Sequence, residues 1–501
     1  MTPLDLTVIA LYMAATLGVG LWFARRSAKS TTADDYFLGA RDLPAGAVML
    51  SIVATETSAL TVISVPGIAA KGDWTFLQLA FGYLIGRIGV AIWLLPGYFS
   101  GRQQTAYQRL EARFGPATRR MLSSVFLVTR FLADGVRIFA GALPLAVVTG
   151  WDVATSIVVM GLVTLLYTLF GGLKAVVWAD ALQLVVYVAG GMAALVIALD
   201  LAGGLGPVLE RAGAAGKLVV FDGRFSLDVP YAFVAALVGG AMLSAASHGT
   251  DHIIVQRLLA TRSLRAAQVA LVGSGVLVIA QFALFLAVGT ALWAAGQADE
   301  SVAGDRVFVN FIVQALPAGL AGLVIAGILA AAMSTISSSI SALASALSTD
   351  IIAPWRGLDP ARPEDAAALL RIGKICSLLW GLLLIVGALG FHGLASGRDT
   401  PVVVLALSIA SVTYGALLGA YLLAGFGPRI QGRHVIVGAA VAMSTMLLVV
   451  FAARLATLPG LDGLAPLGRL SWPWYVPLGT GLTVAVAWVA SRLSAPRTPP
   501  A

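Results

Sequence analysis

The chain has 501 residues, of which 59% are hydrophobic and only 11% charged, and its formal net charge is +8. Soluble domains of that composition would expose a very large apolar surface, so a polytopic membrane protein is expected. The single cysteine, Cys376, excludes an intramolecular disulfide or a cysteine cluster, and the positive charge reads as topology and headgroup contact rather than nucleic-acid binding.

Nearly uncharged runs of about twenty residues recur along the whole sequence. About thirteen spans are predicted, near residues 5–24, 45–70, 75–99, 121–149, 152–170, 176–203, 229–249, 268–296, 318–349, 370–391, 401–426, 433–454 and 472–493. The first is preceded by Asp5 and followed by Arg25, Arg26 and Lys29, so it reads as a retained helix with its amino end outside. Alternating from there, the cytoplasmic loops and carboxyl tail collect roughly 21 of the 32 Lys and Arg, against about 8 outside. The strongest inner loop carries Arg102, Arg109, Arg113, Arg119 and Arg120, and another carries Arg356, Arg362, Arg371 and Lys374. The longest outer loops, near 204–228 and 297–317, have room for short surface helices, whereas the tail after Arg492 is too short for a signalling domain.

Polar residues inside the spans follow in chain order, each needing a partner or a task. The second span is interrupted by Ala54-Thr55-Glu56-Thr57-Ser58 and again by Pro66-Gly67. Unwound backbone at membrane depth is tolerated where it lines a cavity, and its freed carbonyls make cation ligands. Glu56 suits a cation site, a substrate amine or an arginine partner, and Arg87 in the third span suits a structural pair. In the fourth span Arg130, Asp134 and Arg137 stand at steps of four and three, placing one carboxylate between two guanidiniums. One arginine is then in excess and is a candidate bidentate clamp for a substrate carboxylate; Arg137 is that candidate, with pairing to Glu56 as the competing role. Asp180 follows Gly171-Gly172-Leu173-Lys174-Ala175-Val176-Val177-Trp178 and opens the sixth span at its cytoplasmic mouth, as an N-terminal helix partner or as part of a cation exit route.

The seventh span ends in Ser244-Ala245-Ala246-Ser247-His248-Gly249-Thr250-Asp251, a second polar interruption. Met242-Leu243-Ser244 repeats Met49-Leu50-Ser51, and the two broken spans stand five helices apart. Five is odd, so two such blocks would lie inverted in the bilayer, the architecture of many secondary transporters. In the ninth span Ser334, Ser338, Ser341, Ser345 and Ser348 recur every three or four residues, forming one polar stripe. Neutral oxygens hold small hard cations, and small hydroxyl residues also let helices approach closely; the stripe admits both readings.

Three patches resemble the sodium/solute symporter family of sodium-coupled sugar, proline, sialic acid, iodide and vitamin carriers. They are Gly171 to Asp180 with Gln183, Asp251-His252-Ile253-Ile254-Val255-Gln256-Arg257-Leu258-Leu259-Ala260, and Ala331 to Asp350. The resemblance covers nearly the whole chain. It implies an all-α, LeuT-like fold: an extra helix and loop over 1–44, a first inverted repeat over 45–203, an extracellular loop over 204–228, a second repeat over 229–426 and two carboxyl-terminal helices over 427–501. It also implies sodium as coupling ion with no other cofactor, a small organic solute as substrate, and alternating access in the plasma membrane with the amino end outside and the carboxyl end cytoplasmic. A principal sodium would lie among Ala54, Thr57, Ala331, Ser334 and Thr335, and a second among Asp180, Ser334, Ser337 and Ser338. Glu56 stands where proline carriers have aspartate, and His252 where glutamine is usual. The Arg130, Asp134, Arg137 cluster is not a general family feature and points to a carboxylate-bearing solute. Glu56, Arg137, Asp134, Asp251 and His252 are thus the candidate substrate residues.

Three rivals differ in what they require. A proton-coupled carrier would titrate Glu56 or His252, a solute sensor would need an output domain, and an intramembrane serine hydrolase would need a base beside the serine helix, which holds neither His nor Lys. No transition-metal or cofactor constellation, nucleic-acid site or obligatory protein partner is evident.

Overall fold

The computed structural model describes residues 2–27, 32–101, 103–298, 303–359, 362–395, 402–426 and 430–494. Lys29, Arg102 and the tail beyond Ser494 lie outside these. The described residues form helices and no strand.

Helix α1 (Pro3–Ser27) is followed by the short α2 (Ala33–Leu38), then α3 (Ala45–Glu56) and α4 (Ala59–Lys71). Helix α5 (Leu77–Gly89) runs through a π turn into α6 (Leu95–Phe99), and α7 (Gln108–Phe114) leads to the long α8 (Pro116–Thr149) and α9 (Val153–Leu201). Helix α10 (Leu205–Ala214) precedes α11 (Gly240–Gly249), α12 (His252–Leu259) and α13 (Leu264–Ala294). The remainder are α14 (Gly304–Gln314), α15 (Leu320–Ala346), α16 (Ala353–Trp355), α17 (Ala366–Ala395), α18 (Val402–Phe426), α19 (Gly432–Leu455) and α20 (Tyr475–Leu493). Among the described residues eight helices are long and apolar enough to cross a membrane, or nine when the bent α3–α4 pair counts as one span.

Straight, the 49 residues of α9 would extend for about 73 Å at 1.5 Å per residue, far beyond a hydrocarbon core of about 30 Å. The chain turns instead at Gly172, with φ 59° and ψ −161°, a region open to glycine alone. A Cβ there would stand 2.6 Å from the Tyr36 carbonyl oxygen, so α2 packs directly on the turn. Tyr36 donates from its hydroxyl to the Leu169 carbonyl at 3.0 Å and also meets Ser377.

The α3–α4 pair bends by 69° at Thr57–Ser58. Ser58 caps α4 by accepting from the Thr61 amide, the role its short hydroxyl favours at a helix start. The expected second interruption at Pro66-Gly67 is absent, since both lie within a continuous α4. The break after α11 is narrower than the sequence suggests. Ser244 to Gly249 remain helical, and the backbone departs only at Thr250 and Asp251, whose carboxylate caps α12 through the Ile253 amide at 2.9 Å.

The serine-bearing α15 is the axis of the bundle. It packs against α1, α3, α4, α8, α9, α12 and α17, and every residue from Val324 to Ala346 is buried. A helix enclosed on all sides needs partners for each hydroxyl it carries, and those partners define the candidate site.

Candidate sodium sites and solute cavity

Asp180, expected at the cytoplasmic mouth of a span, lies within α9 and is fully buried. Its Oδ1 accepts from Ser334 Oγ at 2.7 Å, and its Oδ2 accepts from Ser51 Oγ at 2.6 Å and from Arg257 Nη2 at 3.0 Å. Arg257, equally buried, donates from Nε to Ser51 Oγ at 2.8 Å and also reaches Ser338 Oγ. Ser338 lies 3.0 Å from Thr55 Oγ1 and donates back to the Ser334 carbonyl at 2.6 Å. Ser337 donates to the same carbonyl at 3.1 Å and makes no bond to Asp180. Four elements, α3, α9, α12 and α15, therefore meet at one carboxylate whose counter-charge in this structure is a guanidinium. Nothing in the sequence singles out Arg257, although it sits inside the Asp251 to Ala260 patch.

The helix break supplies the other half of the candidate principal site. The Thr57 amide closes α3 on the Val53 carbonyl at 3.0 Å. Beyond it, among the described residues, no hydrogen bond reaches the carbonyl oxygens of Ala54, Thr55, Glu56 or Thr57. A helix end leaves such carbonyls without partners by geometry, and water or a cation can take them. The Thr57 side chain is fixed separately. Its Oγ1 donates to the Val53 carbonyl at 2.8 Å and receives Gln281 Nε2 at 2.8 Å, while Tyr187 donates to Gln281 Oε1 at 2.7 Å. On the facing helix Thr335 Oγ1 donates to the Ala331 carbonyl at 3.1 Å, so these two candidate ligands are adjacent.

A cavity of about 260 Å³ runs from this break, at Thr55, Glu56 and Ser58, past Thr335 and Ser339 to Phe76, Tyr231 and Trp472. Glu56 and Arg137 line it; Asp134, Asp251 and His252 do not. Glu56 is held by Arg87, itself fully buried and donating to Ser274 Oγ at 2.7 Å, while His248 Nε2 stands 3.6 Å away, outside hydrogen-bond distance. Arg137 is therefore not its partner.

The excess guanidinium inferred from α8 alone also needs correction. Asp251, brought in by the start of α12, accepts from Arg130 Nε at 2.9 Å and Nη2 at 2.6 Å, and from the Tyr414 hydroxyl at 3.0 Å. Asp134 accepts from Arg137 Nη1 at 3.1 Å and Ser339 Oγ at 2.5 Å. Two carboxylates thus balance two arginines. Both arginines line the cavity, yet they are not equally engaged: Arg130 makes three hydrogen bonds through Nε and Nη2 and holds Nη1 3.5 Å from Asp134, whereas Arg137 is 22% exposed and among the described residues makes one hydrogen bond, leaving more donors for the cavity. His252 stays behind the wall, accepting from the Ala106 amide at 3.3 Å and lying 3.1 Å from Ser345 Oγ. The cavity histidine is instead His248, whose ring the sequence alone gave no reason to prefer.

The sodium:solute symporter family model matches residues 36–441. The human sodium/iodide cotransporter is 31% identical over 467 residues, covering 90% of this chain and 70% of that protein. The sodium-coupled monocarboxylate transporter 1 of Xenopus laevis is 29% identical over 445 residues, covering 87% and 70%. Among solved structures, the substrate-bound outward-open state of a sodium-coupled sialic acid symporter matches with a TM-score of 0.84 at 25% identity, covering 99% of both chains. A nucleobase-cation-symport-1 family transporter in a closed conformation matches with a TM-score of 0.55 at 13% identity over 92% of this chain and 96% of that one, a likeness of fold alone.

Proposed function

This chain belongs to the sodium:solute symporter family, and from that premise we propose that it imports a small carboxylate-bearing solute together with sodium by alternating access. It is a multi-pass membrane transporter rather than an enzyme, and sodium is its coupling ion. The observation that carries the carboxylate is Arg137, a guanidinium with unengaged donors on the wall of a cavity that also touches the helix break and Thr335.

In this reading sodium lies among the carbonyls of Ala54, Thr57 and Ala331 and the hydroxyls of Ser334 and Thr335. Bound there, it joins α3 and α4 to α15 and so shapes the cavity floor at Thr55 and Glu56. Coupling then follows from differential affinity: sodium and solute each favour the arrangement in which the break faces the serine helix. Moving α3 away from α15 would break the cation shell and open the solute's exit together. The region around Asp180, Ser337 and Ser338 would hold a further sodium only after Arg257 withdraws from Ser338 and Asp180. The thirteen-span count, the inverted repeats, the outward amino end and the plasma-membrane location belong to the same reading; the two breaks, at Thr57–Ser58 and Thr250–Asp251, support the repeats.

Thermal stabilisation of the purified protein by panels of carboxylates, sugars and amines, in sodium and in potassium, tests this. Carboxylates should stabilise in sodium only, and Arg137→Ala should weaken them at least about tenfold, as loss of a hydrogen bond to a charged group implies. Undiminished stabilisation in that variant would remove Arg137 from the site. Equal stabilisation in potassium, growing as pH falls, would indicate a proton-coupled carrier.

A further inference from the structure

Helix α11 presents one face to α5 and another to the cavity. A Cβ on Gly86 would stand 2.2 Å from the Ala241 carbonyl oxygen, so the Ala241 side of α11 lies directly on α5. Ser244, Ser247 and His248, at steps of three and one, line the cavity. Two of these side chains each carry a buried polar atom without a hydrogen bond. Ser244 is 1% exposed and His248 2%, yet Ser244 Oγ and His248 Nε2 have no hydrogen bond. The His248 ring is oriented by its other nitrogen, which lies 2.8 Å from Ser247 Oγ, while Glu56 at 3.6 Å is beyond hydrogen-bond reach.

Buried polar atoms are rarely left unpaired, and those that are call for an explanation such as a ligand. Arg137 stands on α8, which packs on α15, α17 and α18, whereas α11 packs on α5 and α18. The Arg137 donors and the unpartnered atoms are therefore carried by different helices of the cavity wall. Resting on the carboxylate reading above, we propose that the solute is a hydroxycarboxylate whose hydroxyl, remote from the carboxylate, is bound by Ser244 and His248. A hydroxyl fits either tautomer of His248, since it can donate or accept, and the same holds at Ser244. An unsubstituted acid would leave both buried atoms unpaired, the circumstance in which a site discriminates most strongly.

The test compares matched pairs, butanoate with 4-hydroxybutanoate and benzoate with 4-hydroxybenzoate, as dissociation constants from thermal-shift titration of the full-length protein in sodium. In the wild type at least one hydroxylated acid should bind at least about fivefold tighter than its parent, as one neutral hydrogen bond implies. That ratio should fall towards one in Ser244→Ala and persist in Ser244→Thr; because it is a ratio within one variant, a general loss of folding does not mimic the effect. Wild-type ratios near one in both pairs, with all the acids binding, would overturn this inference alone, as would a ratio unchanged in Ser244→Ala and His248→Phe. Failure of every acid to bind would overturn the carboxylate reading with it.

Discussion

Arg130 and Arg137 stand two turns apart on one helix and have opposite consequences when removed. Arg130 is the partner of buried Asp251, so Arg130→Ala leaves a carboxylate without its counter-ion and should cost about 3–5 kcal/mol. Arg137→Ala leaves Asp134 with Ser339 and Arg130, the latter at 3.5 Å, and should cost about 1 kcal/mol or less while impairing solute binding. Thermal melts of the two variants in detergent, beside carboxylate titrations, separate structural from ligand-binding arginine. The sequence located this cluster but misassigned its balance for a physical reason. Helical spacing shows which residues share a face within one element, whereas Asp251 lies more than a hundred residues downstream and reaches Arg130 only through the fold. The Glu56–Arg87 and Asp180–Arg257 pairs were hidden in the same way.

The two broken elements were legible because charge and hydroxyls at mid-span are costly and therefore informative. Their exact shape was less so. Pro66 looked like a second break, but α4, restarted by Ser58, runs through it and gives up only the bond that a Pro66 amide would have made to the Val62 carbonyl. Gly172 was visible as part of a family pattern, while its left-handed turn against Tyr36 required the packing of α2. The α3–α4 junction carries its own prediction. Gln281 and Tyr187 hold the Thr57 side chain and thereby aim its unpartnered carbonyl. Gln281→Leu, which removes the donor to Thr57 Oγ1, should raise the sodium concentration for half-maximal stabilisation about tenfold, as sodium titrations of thermal stability would report. A merely structural role for Gln281 would lower the melting temperature without moving that midpoint.

Across the whole molecule, composition alone predicted a helical membrane bundle, and the enclosure of α15 explains why its serines could not be sorted from sequence. All of them are buried, but their partners differ. Ser334 faces Asp180, Ser339 faces Asp134, and Ser348 bonds back to its own helix at Ala344. An ion that binds only the folded arrangement stabilises it by mass action, by about 2.7 kcal/mol at a hundredfold excess over its dissociation constant. The most direct test of sodium binding between the helix break and the serine helix is therefore equilibrium binding of radioactive sodium to purified wild type, Ser334→Ala and Ser348→Ala. Sodium should bind Ser334→Ala at least about tenfold more weakly than wild type and Ser348→Ala with unchanged affinity. Equal affinity in all three proteins would contradict binding between the break and the serine helix.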